Sequence, residues 1–203
     1  MPVKIKICGL TSAEDARYVS EAGAELAGMV VFFPKSKRNV SLEKAAEIKA
    51  ALSADVRTCA VTVSPAAEQV RQINSAGFDY IQIHGALDDD AYEAAEIPII
   101  KAFNVTDISE FDRYRSAEKV CGYVFDAAEY GSGKSFDWAL LDGIERDGRA
   151  FILAGGLRPD NVAEAIKRVS PDFVDVSSGV ENDSGSGKDR AKILDFVKNA
   201  RNV

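Results

Sequence analysis

Short apolar runs alternate with amphipathic stretches along the whole chain, at roughly 25 residues per unit. Val3–Cys8 reads as a strand, and Ala13–Ala22 as a helix capped by Thr11 or Ser12. Leu26–Phe32 is the next strand, and Leu42–Leu52 a helix with Ser41 at its cap. Val56–Val63 leads to Ala66–Ala76, which opens after Ser64-Pro65, and Tyr80–Ile83 to a short helix near Asp89–Ala95. Pro98–Ala102 leads to Ile108–Arg115, and Val120–Phe125 to a short helix after Ser135. Phe151–Leu153 leads to Asn161–Val169, and Phe173–Val176 to a last helix over Arg190–Arg201. Eight strand–helix pairs with short connections predict parallel strands joined by helices. Such a count closes most simply into a single-domain (β/α)8 barrel spanning residues 1–203. A doubly wound open sheet is the alternative.

Two strand ends near the C-terminus carry chemistry. In Phe151–Asn161 an apolar run stops at Gly155-Gly156, and a helical pattern begins just beyond Pro159. Glycines between a strand and a helix let the backbone approach a ligand, with N–H groups aimed at an anion. A second such junction follows at Phe173–Gly179. Together they predict a phosphate grip, whereas either one alone could be only a tight turn.

Strands covered by helices should be apolar on both faces, so polar residues within them need a reason. Lys4, Lys6 and Cys8 share one parity of the first strand; Gln82 and His84 share one in the fourth. Lys101 sits late in the fifth strand, Asp126 ends the sixth, and Asp175 and Ser177 end the eighth. If that parity faces the interior, Cys8, His84, Asp126, Ser177 and the glycine pair converge at the C-terminal mouth. The plainer reading for Lys4 and Lys6 is pairing with aspartates inside the barrel.

Composition narrows the partners. With 25 basic against 32 acidic residues, the net charge of −7 argues against nucleic acid or an anionic membrane. Cys8, Cys59 and Cys121 are far apart, without metal-ligand spacing, and suit reduced thiols in the cytoplasm. The start MPVKIKICG lacks the apolar region of a signal peptide, and no segment reaches ~18 apolar residues.

Six motifs occur in order: KICGLT (Lys6–Thr11), FFPKSKRNVS (Phe32–Ser41), QIHG (Gln82–Gly85), an aspartate before a glycine-rich loop ending SFDW (Ser135–Trp138), ILAGGLRPDNV (Ile152–Val162) and VDVSSGVE (Val174–Glu181). Together they closely resemble the phosphoribosylanthranilate isomerases of tryptophan biosynthesis. The resemblance implies a metal-free (β/α)8 barrel with no cofactor. It implies an Amadori rearrangement of an aldosylamine, N-(5-phosphoribosyl)anthranilate, to an aminodeoxyribulose phosphate. It makes Cys8 the general base and Asp126 the general acid. Arg38 would clamp the anthranilate carboxylate, with Lys35 and Lys37 left as solvated loop residues. His84, Gly155, Gly156, Asp175, Ser177, Ser178 and Gly179 complete the expected substrate contacts. The partner is this small phosphosugar, and a monomer is expected, with a dimer as the alternative.

The chemistry sets two electrostatic demands. A thiol must become thiolate to act as a base, and Lys6 is the candidate cation; Asp126 must hold its proton, which burial can arrange. The chain departs from the family in two loops, Ala127–Lys134 (AAEYGSGK) and Asn182–Lys188. GSGKS (Gly131–Ser135) fails as a phosphate loop because Ala128 stands where the first glycine is required. Competing readings are another phosphosugar isomerase and a non-catalytic phosphosugar-binding barrel.

Overall fold

A computed structural model describes residues 2–104, 110–127, 136–185 and 187–203. Eight parallel strands close a barrel in chain order: β1 (Lys4–Ile7), β2 (Leu26–Val30), β3 (Arg57–Val63), β4 (Tyr80–His84), β5 (Ile99–Asn104), β6 (Val120–Asp126), β7 (Ala150–Leu153) and β8 (Phe173–Val176). Closure is made by β1 pairing with β8, in a register that sets Lys6 opposite Asp175. The expected (β/α)8 barrel is the observed fold.

Helices α1 (Ala13–Ala22), α2 (Leu42–Ala50), α3 (Ala67–Ser75), α4 (Asp89–Ala94), α5 (Phe111–Tyr114), α6 (Val162–Val169) and α7 (Arg190–Arg201) surround the strands. The helix expected after Ser135 is a single 3-10 turn, Trp138–Leu141. Residues 105–109 and 128–135 lie outside the described residues, so the first part of the Ile108–Arg115 helix and most of the Ala127–Lys134 loop, GSGKS included, do too.

Local sequence explains where the helices begin. Ser12 caps α1 by accepting from Asp15 N at 3.1 Å, and Asp15 returns the contact to Ser12 N at 3.2 Å. Gly23 ends α1 in the left-handed conformation at φ 70°. Asp189 caps α7 through Lys192 N at 2.9 Å.

The apolar residues form two separate cores. Ile5, Ile7, Met29, Ile81, Phe103 and Phe125 face outward and pack against the helices. Leu26, Cys59, Val61, Ile100, Val124 and Ile152 fill the barrel itself. Among the described residues these side chains fill the barrel interior, and in this fold ligands sit at the C-terminal ends of the strands.

Candidate active site

A cavity of about 440 Å³ opens at the C-terminal ends of the strands, within the range that holds a small metabolite. Cys8 stands just past β1, its backbone N–H donating to Val176 O at 2.8 Å. Asp126 ends β6 across the same cavity, and the wall between them carries Gln82, His84 and Asp175.

Below the floor lies an ion pair. Lys6 Nζ donates to Asp175 Oδ2 at 2.6 Å, with the lysine fully buried. Burial pulls the Lys6 pKa down, but the facing charge and hydrogen bond of Asp175 outweigh it and hold it above the usual range. The pairing of lysine with aspartate inside the barrel thus holds for Lys6. Lys4 is exposed at the opposite end, with its ammonium 5.4 Å from the Phe173 ring.

Several polar atoms near the cavity are buried without a protein partner: Asp175 Oδ1, Thr62 Oγ1 and Gln82 Oε1 among the described residues. Burying such groups unpaired costs free energy, so they suit a polyhydroxylated ligand that would satisfy them. Gln82 Nε2 lies 2.7 Å from His84 Nε2. Burial, together with the positive charges of Lys6 and Lys101, pushes the His84 pKa down to about 3. His84 is therefore a neutral hydrogen-bonding group at physiological pH, not a cation.

The two groups suited to proton transfer are tuned in the same direction. Burial pushes the Asp126 carboxyl up to about 6, and the Asp175 charge adds to the effect; the Ala127 N–H, donating at 2.8 Å, opposes it. Burial also pushes the Cys8 thiol above its ordinary value, while Lys6 and Lys188 pull it down. Lys6 is the candidate cation for making Cys8 a thiolate. Desolvation outweighs it, because Lys6 shares its charge with Asp175.

Two turns close the far side of the cavity. Gly155 and Gly156 both have positive φ, 80° and 65°. The next turn, Ser178–Val180, packs directly on the residue after them: a Cβ at Gly179 would lie 2.0 Å from Leu157 O. No residue but glycine fits that approach. The turns after β7 and β8 are thus in contact, and Gly155, Gly156, Ser177 and Ser178 face the cavity.

Arg38 reaches over the end of β1 from the loop after β2. A Cβ at Gly9 would lie 2.5 Å from Arg38 Cδ and 2.9 Å from Ser177 Oγ, so a bare backbone there lets all three segments meet. Arg38 Nε donates to Glu181 Oε1 at 2.5 Å.

The model of the N-(5'phosphoribosyl)anthranilate (PRA) isomerase family matches residues 5–199. The chain belongs to this family. It is 40% identical over 207 residues to the N-(5'-phosphoribosyl)anthranilate isomerase of Neisseria meningitidis, covering 99% of this chain and 98% of the relative. The enzyme of that name from Aquifex aeolicus is 38% identical over 203 residues, with 98% of each chain covered. Among solved structures, phosphoribosyl anthranilate isomerase from Thermotoga maritima superimposes with a TM-score of 0.87 at 36% identity, covering 99% of this chain and 100% of that one. A second structure of such an isomerase, in complex with reduced 1-(o-carboxyphenylamino)-1-deoxyribulose 5-phosphate, gives 0.84 at 36% identity with the same coverage. A further one contains monomers generated from the dimeric Thermotoga maritima protein; it gives 0.84 at 35% identity, again over 99% and 100% of the chains.

In this isomerase Cys8, Arg38, His84, Asp126, Gly155, Gly156, Asp175, Ser177 and Ser178 line one cavity. Gly179 stands beside this lining, with its Cα packed against Leu157 O. Lys101 also lies elsewhere, its ammonium 4.7 Å from the Phe103 ring on the helix side of β5. Lys37 is more than a loop residue: exposed along its length, it donates to Glu181 Oε2 at 2.8 Å. Sequence reasoning missed Thr62, Glu181 and Lys188. Thr62 carried a usable signal, a polar residue in the apolar strand Arg57–Val63.

Proposed function

We propose that this isomerase converts N-(5-phosphoribosyl)anthranilate to 1-(2-carboxyphenylamino)-1-deoxyribulose 5-phosphate in tryptophan biosynthesis, in the cytoplasm. Asp126 protonates the furanose ring oxygen, and the C1–O bond breaks to give the open-chain iminium. Cys8 thiolate then removes the C2 proton, and the electron pair moves into the C1–C2 bond to form the enolamine. Ketonisation, with a proton returned to C1, completes the rearrangement. Arg38 holds the anthranilate carboxylate, and the two turns hold the phosphate. The observation that carries this reading is the shared cavity: a carboxyl with raised pKa and a thiol face each other beside two adjacent anion-friendly turns.

The pKa order has a kinetic consequence. With the Asp126 carboxyl raised to about 6 and the Cys8 thiol pushed above its ordinary value, the productive form, protonated Asp126 with Cys8 thiolate, is a minor one. Its share is constant between the two titrations, because it differs from the dominant form only in a proton moved from Cys8 to Asp126 and the two carry the same number of protons. A buried thiolate that forms rarely is in turn a stronger base than an exposed one.

The deciding assay follows loss of phosphoribosylanthranilate fluorescence. Cys8→Ala and Asp126→Asn should each cut turnover ~10²–10⁴-fold, with binding of the reduced product analogue nearly intact. Turnover close to wild type in either variant excludes that residue's role. Analogue binding without any turnover in the unaltered protein would instead make it a phosphosugar-binding barrel.

A further inference from the structure

Glu181 lies behind the cavity wall, on the β8–α7 connection, and its carboxylate is the meeting point of three cations. Arg38 Nε donates to Oε1 at 2.5 Å and Lys37 Nζ to Oε2 at 2.8 Å. Lys188 Nζ lies 3.8 Å from Oε1 and donates onward to Ser177 O at 3.0 Å. Arg38, Glu181 and Lys188 expose at most 12% of their side chains, so this is a shielded cluster rather than a surface pair.

The connection carrying Glu181 is itself fixed. Glu181 and Lys188 pair across its base, and Lys188 N donates to the buried Asp15 carboxylate at 2.8 Å. Lys192 Nζ donates to Glu181 O at 2.9 Å. The connection is thus held on both sides, against helix α1 and against helix α7.

The geometry points to Glu181 as the positioning residue that aims Arg38 at the substrate carboxylate and couples that clamp to the Ser177 turn. A guanidinium carries five N–H donors in one plane. Glu181 engages the Nε edge, and the Nη1 and Nη2 groups make no hydrogen bond to another described residue. A fixed guanidinium plane presents those groups as a fork, the arrangement that binds a carboxylate in two places. Three cations around one carboxylate also leave two positive charges at the mouth of a protein whose net charge is −7. That excess suits a ligand with a carboxylate at one end and a phosphate at the other.

Positioning and simple charge balance predict opposite outcomes. If Glu181 only neutralised the cations, removing its charge would strengthen binding of an anionic ligand. If it aims Arg38, removal frees a long side chain, and the carboxylate is bound less well. This inference rests on the clamp reading of Arg38, so the test separates the two. Calorimetry would compare two probes: the reduced product analogue, and its anilino counterpart lacking the carboxylate. In the unaltered protein the carboxylated probe should bind more tightly, and Arg38→Ala should abolish that preference. Glu181→Ala and Glu181→Gln should each shrink it by up to about tenfold, leaving anilino binding within about twofold. The loss should appear in KM rather than in kcat, and Glu181→Asp should restore part of it. A preference lost in Arg38→Ala but kept or increased in Glu181→Gln overturns the inference while the clamp stands. Equal weakening of both probes makes Glu181 a structural residue and overturns it as well. A preference that survives Arg38→Ala overturns the clamp and the inference together.

Discussion

Lys6 on β1 and Asp175 on β8 face each other across the seam that closes the barrel, 2.6 Å apart and shut off from solvent. Two residues beyond Lys6, just past the end of β1, Cys8 lines the cavity. Asp175 lines the cavity, and Lys6 lies buried beneath it in the core. Ions in such a place are costly to desolvate, and removing one partner leaves the other uncompensated.

Lys6→Met should therefore lower unfolding free energy by about 3–5 kcal/mol, as read from urea denaturation. Lys6→Met combined with Asp175→Leu should recover much of that loss, because neither charge remains. A single variant that lost under about 1 kcal/mol would show that the pair is not dry in solution.

Asp126 gives a stability prediction with a definite sign. Its pKa rises from an ordinary 3.8 to about 6 in the folded protein, mainly through burial. Below pH 3.8 the carboxyl is protonated in both states and contributes no penalty. Above about 6 it is ionised in both, and the folded state alone bears the cost of the buried charge. Asp126→Asn should thus be more stable than the unaltered protein at pH 8, by about 2 kcal/mol after solvent screening of a partly exposed group. The gain should vanish near pH 4. Equal stability at both pH values would mean that Asp126 titrates as an ordinary surface carboxyl.

The same two pKa values shape the rate. kcat/KM should fall below pH about 6, stay level through neutrality, and fall again only on the alkaline side, where the raised thiol titrates. Steady-state rates across the pH range would show it. A single optimum near pH 7 with steep flanks would contradict a high-pKa thiol as the base.

The barrel was legible because each strand–helix unit carries its own local signals. Ser12 and Ser41 cap where side-chain chemistry says they should, and the glycine junctions mark strand ends. The mouth was legible because a polar side chain on a buried strand must find a partner or a ligand, as with Gln82, His84 and Asp175. Strand parity was harder to read where a strand is apolar on both faces. In Ile99–Asn104 the pattern gives no alternation, and Lys101 turns to the helix side. Glu181 was invisible for a different reason. Its partner Arg38 is 143 positions away, and no spacing rule links them. The Cys8 environment depended on burial, which opposes the Lys6 charge and which no local pattern measures.

The contact between the two glycine turns supplies the last prediction. Gly179 contributes no side chain to the cavity, yet its backbone sits where a Cβ would meet Leu157 O at 2.0 Å and Arg158 Cγ at 3.1 Å. The nearer atom is main chain and cannot swing aside, so Gly179→Ala must part the turn after β8 from the turn after β7. A phosphate held by N–H groups from both turns would lose part of its cradle, since such donors act only near 2.9 Å. Gly179→Ala should therefore weaken the reduced product analogue at least tenfold, while a dephosphorylated analogue loses far less. Overpacking should also cost about 1–3 kcal/mol of stability, small enough for the barrel to remain folded. Gly156→Val supplies a second probe within the cavity itself: Gly156 lies at φ 65°, which a β-branched residue adopts only with strain. Calorimetry with both analogues, beside far-ultraviolet circular dichroism, would measure each effect. If Gly179→Ala bound both analogues as the unaltered protein does, the phosphate would not lie between these turns, and the grip would have to be sought elsewhere on the mouth.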